Sequence, residues 1–348
     1  MDVYSMKTKE RETYHIELKS SLLWEAALGI AAFTNERLIE TLDLEKKERK
    51  KIKDSLSQSL KEKLDEVKST NTWKAILQLL HQEDFSDLSA FQAYVKNLPS
   101  EEFKRIAIPH LGRDQEGLIS EMLDGSKEAL RKLQESTKNN SFLPSYFSFI
   151  FNADLVQVKK HIVEVMSEWY EQVISPEKES LQSILARDLA AKKRMLEKLQ
   201  PEAFVHWATG GMDYKPEPGV YSVIMIPQYI YRPWNVEADL EGAKVIYYPV
   251  ANESITPDNK YVPNQMLIQR YKALGDQNRL KILKMLTEKE RTLHELTEEL
   301  LLGKTTVHHH LKLLKSARLV FIESNQYVVN ARNITSLPEE LKQFLEQE

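Results

Sequence analysis

The sequence predicts an α+β protein, helical over most of its length, with one β segment before and one within its C-terminal part. Three observations carry that prediction. Apolar residues recur at helical spacing from about residue 20 to 199. From Gly219 the texture changes: "VYSVIMIPQYIYRPW" and "AKVIYYPV" are rich in β-branched and aromatic residues bounded by proline and glycine, as strands are. After residue 264, helical spacing returns and gives way once more to a strand-like run, "LVFIESNQYVVN". At 348 residues there is room for about two domains. The polar, proline-broken stretch "ANESITPDNKYVPN" at 251–264 predicts a boundary, giving domains at 1–258 and 262–348 with the β segment at about 219–250.

Composition narrows the chemistry. With no cysteine there is no disulfide, no thiolate metal site and no cysteine nucleophile, and ten glycines are few for a phosphate-cradling enzyme. The longest apolar run, Ser21 to Phe33, is interrupted by Glu25 and falls short of the roughly 20 residues that span a bilayer. Met1 to Arg11 is charged and lacks a signal peptide's apolar core, so a cytoplasmic protein without membrane partners is expected. Charge is unevenly spread. Residues 265–335 hold twelve lysines and arginines against seven acids, in a chain whose net charge is −4. A basic module on an acidic body points to a polyanion met by one part only.

Within the N-terminal part, Leu44 to Val67 predicts one helix with Ile52, Leu56, Leu60, Leu64 and Val67 on a stripe. The basic run Lys46, Lys47, Arg49, Lys50, Lys51 and Lys53 is interleaved with glutamates and reads as a solvated face. Ser175-Pro176 predicts an N-cap and first-turn proline opening a helix toward Leu199. Tyr229, Tyr231 and Trp234 read as core aromatics in preference to a ligand pocket. His81, His110, His161 and His206 are candidate bases, with Asp84, Asp114 and Glu164 as partners, but none forms a recognisable motif. No catalytic residue is assigned.

The stretch "LLLGKTTVHHHLKLLKSARLV", residues 300–320, admits three readings. A phosphate loop needs a glycine five residues before Gly303, where Glu298 stands, and a preceding strand, whereas Leu293, Leu296 and Leu300 repeat as in a helix. A metal site fails on geometry. Consecutive histidines fan over about 200° of a helix, and no second histidine lies four residues from any of them. A helix remains, with Val307, Leu311 and Leu314 as its buried stripe and His310 flanking it. Thr305, His308, His309 and Lys312 project from the other side: donors and cations without a carboxylate, suited to base edges and phosphates in a major groove.

Upstream, Thr292-Leu-His-Glu295 is a capping box opening a helix that closes at Leu301-Leu302-Gly303, with Gly303 as N-cap of the next. Asp276 caps an earlier helix with Leu280, Ile282, Leu283 and Leu286 as its apolar stripe. Two strands around a Ser324-Asn325-Gln326 turn follow. Helix, helix, helix and hairpin make a winged helix-turn-helix domain, the second half of the predicted fold.

These residues resemble the ArsR/SmtB-type bacterial transcriptional regulators, through "ALGDQNRLKILKML" and "TLHELTEELLLGKTTVHHHLKLLKSARLVFI", over roughly 265–330. The most specific piece is "TTVHHHLKLL". The resemblance implies a DNA-facing helix carrying Lys304, Thr305, Thr306, His308, His309 and Lys312, double-stranded DNA as partner, and a homodimer. Its dimer helices would be "MLIQRYKAL" and "LPEELKQFLEQE", the latter with Leu337, Leu341, Phe344 and Leu345 on one side; docking within the chain is the other role for them. Metal sensing is not implied. Leu293-His294-Glu295 replaces the family's cysteine site, and no histidine follows His310. The wing carries Glu323 where basic residues are common, and Arg318 stands where the family has glycine, at a cost of about 1–2 kcal/mol if left-handed. The leading expectation is a DNA-binding regulator, a repressor, with residues 1–258 sensing an unidentified small-molecule effector or oligomerising. A winged helix that binds protein only, and an enzyme fused to a regulator, are the alternatives.

Overall fold

The computed structural model describes residues 13–259 and 261–346. The charged segment Met1–Arg11 lies outside them. The chain divides into two compact units, one made of residues 1–190 and 216–249, the other of residues 191–215 and 250–348.

The first unit starts with β1 (His15–Leu18) and continues through α1 (Leu22–Phe33), α2 (Glu36–Ile39), α3 (Lys46–Ser55), α4 (Gln58–Thr70), α5 (Trp73–Leu80), α6 (Leu88–Asn97) and α7 (Ser100–Ala107). Helices α8 (Glu116–Leu123), α9 (Lys127–Ser136), α10 (Leu143–Asn152), α11 (Leu155–Trp169) and the part of α12 (Lys178–Leu196) up to residue 190 follow. Strands β2 (Ser222–Gln228), β3 (Val236–Leu240) and β4 (Ala243–Pro249) complete it after α13 (Pro201–Ala208). The sheet order is β1-β2-β4-β3, with β1 and β4 parallel to β2 and β3 antiparallel to β4. Strand β2 is buried from Val223 onward and reads as a continuous apolar run, as an interior parallel strand must. Two strands escaped the sequence reading. β1 is only four residues long, and edge strand β3 exposes Glu237 and Asp239 around buried Ala238.

Helix α1 is apolar apart from Glu25, as suits a helix with eleven of its twelve residues buried. Its N-cap Ser21 accepts a hydrogen bond from the Leu23 N–H at 3.2 Å. Two expectations need correction here. The single helix over 44–67 is broken at Leu56, because Ser57 caps α4 by accepting from the Leu60 N–H at 3.1 Å. The stripe survives the break: Leu56, Leu60, Leu64 and Val67 are buried, and the lysines of α3 are exposed. Ser175 is not an N-cap. It is helical (φ −56°, ψ −42°), and its N–H donates to the Tyr170 carbonyl five residues back. Residues 170–174 form a π-turn and 175–177 a 3₁₀ turn joining α11 to α12. Pro176 has no N–H to give the regular ladder, and the helix widens ahead of it instead of stopping.

The second unit contains α13, α14 (Asn252–Ile255), α15 (Gln265–Leu274), α16 (Gln277–Glu288), α17 (Leu293–Leu300), α18 (Lys304–Ser316), β5 (Val320–Glu323), β6 (Gln326–Val329), α19 (Ala331–Thr335) and α20 (Leu337–Leu345). The boundary expected at 258–262 therefore differs from the division found: residues 191–215 and 250–258 join the C-terminal unit. Backbone carbonyls explain the first of these. Arg318 donates to the Thr209 carbonyl, Arg270 to that of Gly210 at 3.0 Å, and Asn333 to that of Gly211 at 3.3 Å. The unit's core gathers Ile282, Leu283, Leu286, Leu296, Val307, Leu311 and Leu314 with Leu319 and Val320.

Candidate nucleic-acid interface

Three helices and a hairpin build the interface. Asp276, in extended conformation, caps α16 by accepting from the Arg279 N–H at 3.0 Å. The stripe of α16 is narrower than its spacing predicts, since Ile282, Leu283 and Leu286 are buried while Leu280 is 49% exposed. The capping box of α17 is present in both directions. The Glu295 N–H donates to Thr292 Oγ1 at 3.3 Å, and the Thr292 N–H to Glu295 Oε2 at 2.6 Å. The Thr292 N–H, joined by the Thr292 hydroxyl donating to the same oxygen at 2.9 Å, holds the Glu295 carboxyl below the usual carboxylate range. Helix α17 ends on left-handed Leu301 (φ 53°), and Gly303, extended at ψ 141°, opens α18.

Along α18 one side is buried and the other exposed. Val307, Leu311 and Leu314 are at most 1% exposed, and His310 is buried beside them. Its Nδ1 faces Asp276 Oδ1 at 3.8 Å, an approach that sets α18 against the start of α16. Lys304, Thr305, Thr306, His308, His309 and Lys312 are all exposed on one helix, and Lys315 extends the same basic surface. The helix contains no carboxylate. That arrangement offers hydroxyls, imidazoles and ammonium groups together, with nothing to repel a phosphate.

The wing is a two-strand antiparallel hairpin pairing Val320–Glu323 with Gln326–Val329. Its turn is Ser324-Asn325, both left-handed (φ 47° and 64°), while Gln326 belongs to the strand. A third edge escaped the sequence reading: Arg291 bridges Tyr327, with the Tyr327 N–H donating to the Arg291 carbonyl at 2.7 Å. No spacing marks a one-residue bridge. Phe321 and Ile322 are 39% and 45% exposed on the wing, and Glu323 is exposed beside them.

Arg318, just past α18, is left-handed (φ 55°), where glycine would be unstrained. Its guanidinium bond to the Thr209 carbonyl supplies the reason for an arginine there. Arg270, 3% exposed, reaches both Glu340 oxygens at 2.6 Å as well as the Gly210 carbonyl, and so ties α15 to α20. On α20, Leu337 is buried and Leu341 and Phe344 pack on the core, whereas Leu345 is 71% exposed. Gly211 (φ 109°) admits no side chain: a Cβ there would lie 2.5 Å from Asn333 Nδ2. The Gly210-Gly211 pair was the one sequence signal of this junction.

Three of the candidate bases each meet a different partner. His81 Nε2 lies 2.7 Å from the Tyr247 hydroxyl, and burial pushes its imidazole down to about 4. His161 faces Glu66 at 3.3 Å, and His206 meets Asp213 at 2.7 Å. Burial lowers both imidazoles. Asp84 pairs with Lys19 at 2.8 Å. Among the described residues, no three histidines or acids gather as a metal site would need, and no helix is long and apolar enough to cross a membrane.

Residues 276–320 match the family model described as "Bacterial regulatory protein, arsR family". The matched residues run from the N-cap of α16 to the first residue of the wing, so the C-terminal unit carries a helix-turn-helix of the ArsR type. No curated protein matches the chain.

Proposed function

We propose that this chain is a DNA-binding transcription regulator, a repressor that reads an operator through α18. The observation that carries the reading is the two-sided character of that helix. Val307, Leu311 and Leu314 anchor it in the core, while six exposed side chains present donors and cations without a carboxylate. The ArsR-type match over 276–320 supports it. Lys304 and Lys312 would contact phosphates, and Thr305, Thr306, His308 and His309 would meet base edges or nearby backbone. The chain would act as a homodimer in the cytoplasm, placing two copies of α18 in successive major grooves about one helical turn apart on a pseudo-palindrome. The first unit would sense a small molecule. Metal sensing and catalysis form no part of the reading.

The test is selection of bound sequences from random duplex DNA by the full chain, then salt titration of the winner. A recurrent pseudo-palindrome whose affinity falls steeply with salt supports the reading. One observation favours a second reading, a winged helix that binds protein: the wing exposes Phe321 and Ile322 and carries Glu323, not a cation. That reading predicts no enriched sequence and uniformly weak binding even at low salt.

A further inference from the structure

A cavity of about 340 Å³ opens in the first unit between α1, α3, the π-turn, the start of α12 and the segment after β2. Its size lies within the range of small-molecule sites. The wall is mostly apolar: Leu44, Ile52, Trp169, Val173, Leu181 and Ile184. Three carboxylates line it, Glu25, Glu48 and Glu177, against one ammonium, Lys51. Lys51 lies 3.6 Å from Glu177, and Glu48 accepts from the Glu45 N–H at 3.2 Å. Of the three, Glu25 alone is buried.

That residue is 2% exposed, the single acid of an otherwise apolar helix. Its two oxygens accept from the backbone N–H groups of Tyr229 and Ile230, one each, the second at 3.1 Å. A carboxylate has about four acceptor positions, so half remain. Among the described residues no cation forms an ion pair with it. The guanidinium of Arg232 is stacked on the Tyr229 ring, 4.3 Å from its centre. Burial pushes the Glu25 carboxyl up to about 7 in spite of both N–H donors and the Arg232 field. A second buried polar atom on the same wall is unused: Trp169 Nε1 has no hydrogen-bond partner among the described residues, although Trp169 is fully buried. Its indole lies so close to α1 that a Cβ on Gly29 would sit 2.9 Å from Nε1. The wall also includes Val173 and Ile174 of the π-turn, a distortion that recurs at ligand sites.

We infer that this cavity binds an organic amine, its ammonium group against Glu25 and its apolar body against Trp169, Val173 and Ile184. Binding stands on the cavity alone; that the amine acts as the effector of DNA binding rests on the regulator reading above.

The experiment is calorimetric titration of the full chain with three probes of one carbon skeleton: 2-phenylethylamine, 2-phenylethanol and phenylacetate. The amine should bind at least tenfold more tightly than the alcohol, and phenylacetate least. Glu25→Gln should erase the preference for amine over alcohol. Because a buried substitution can unfold the chain, Ser180→Trp is the second variant: Ser180 is exposed on the cavity rim, and the indole should block all three probes. Equal affinity for alcohol and amine, binding undiminished in Ser180→Trp, or no binding by any probe at millimolar concentration overturns the inference. Saturating amine should also change duplex affinity in a gel shift. Amine binding without that change overturns the effector role, and loss of DNA binding altogether is read on the untreated protein, so the two failures are distinct.

Discussion

Reversing the charge of Lys312 is the sharpest perturbation of the interface. Lys312 is exposed near the middle of α18 and forms no ion pair with any described residue. Its replacement by glutamate therefore removes no stabilising contact, and the melting temperature should move by less than the equivalent of about 0.5 kcal/mol. On DNA the effect is large. Each phosphate contact contributes about 0.9 to the slope of log affinity against log salt, which at 0.1 M amounts to roughly eightfold in affinity. In the proposed homodimer two such contacts would make about sixty-fold, and the introduced carboxylates add repulsion to that. In a gel shift on the selected duplex, Lys312→Glu should bind at least about sixty-fold more weakly at 0.1 M salt, with a slope lower by about 1.8. Lys96→Glu, an equal charge change at an exposed site of the first unit, should leave both unchanged. Equal affinity of the Lys312 variant and the parent would refute the assignment of α18 as the reading helix.

Three more outcomes follow from the same contacts. Leu311→Ala opens a cavity under α18 and should lower unfolding free energy by about 2–4 kcal/mol in chemical denaturation, with DNA binding lost alongside; a loss under 1 kcal/mol contradicts the burial of the stripe. At Arg318, alanine loses the guanidinium bond to Thr209 and keeps the left-handed strain, whereas glycine loses the bond and relieves it. Arg318→Gly should therefore be about 1 kcal/mol more stable than Arg318→Ala, with both below the parent; the reverse order contradicts the strain. Glu25, raised from 4.5 to about 7 by burial, holds a proton in the folded chain that the unfolded chain has already lost between those values. Stability should fall as pH rises through that window, by about 3 kcal/mol more in the parent than in Glu25→Gln. Parallel curves for the two proteins rule out a buried, neutral Glu25.

What the sequence disclosed tracks how local each signal is. The capping box Thr292–Glu295, the N-caps Asp276 and Gly303, and the stripe Val307-Leu311-Leu314 are set within one or two turns of chain. All of them stand as the spacing predicted. The wing hairpin followed from alternation and turn chemistry, though its turn is one residue shorter than expected. Two of the misses are non-local, and two are local signals that competed with a neighbour. Strand β1 pairs with β2 more than two hundred residues away, and nothing in "HIEL" announces a partner. The break at Ser57 needed its side chain weighed against an uninterrupted apolar stripe, and the stripe continues through the break. Ser175-Pro176 carries the residue types of a helix start, but the chain absorbs the missing N–H in a π-turn. The adoption of 191–215 by the C-terminal unit depends on three side chains far along the chain binding successive carbonyls, visible beforehand only as a glycine pair. The helical period placed Thr305, His308, His309 and Lys312, the resemblance added Lys304 and Thr306, and all six are exposed, whereas Glu25 read only as a blemish in an apolar run.

The most direct measurement of the central claim is a hydroxyl-radical footprint of the full chain on its selected duplex. Two protected patches about ten base pairs apart, both vanishing in the Lys312 charge reversal, are the predicted result. Uniform cleavage at saturating protein, or a footprint that survives the reversal, contradicts it.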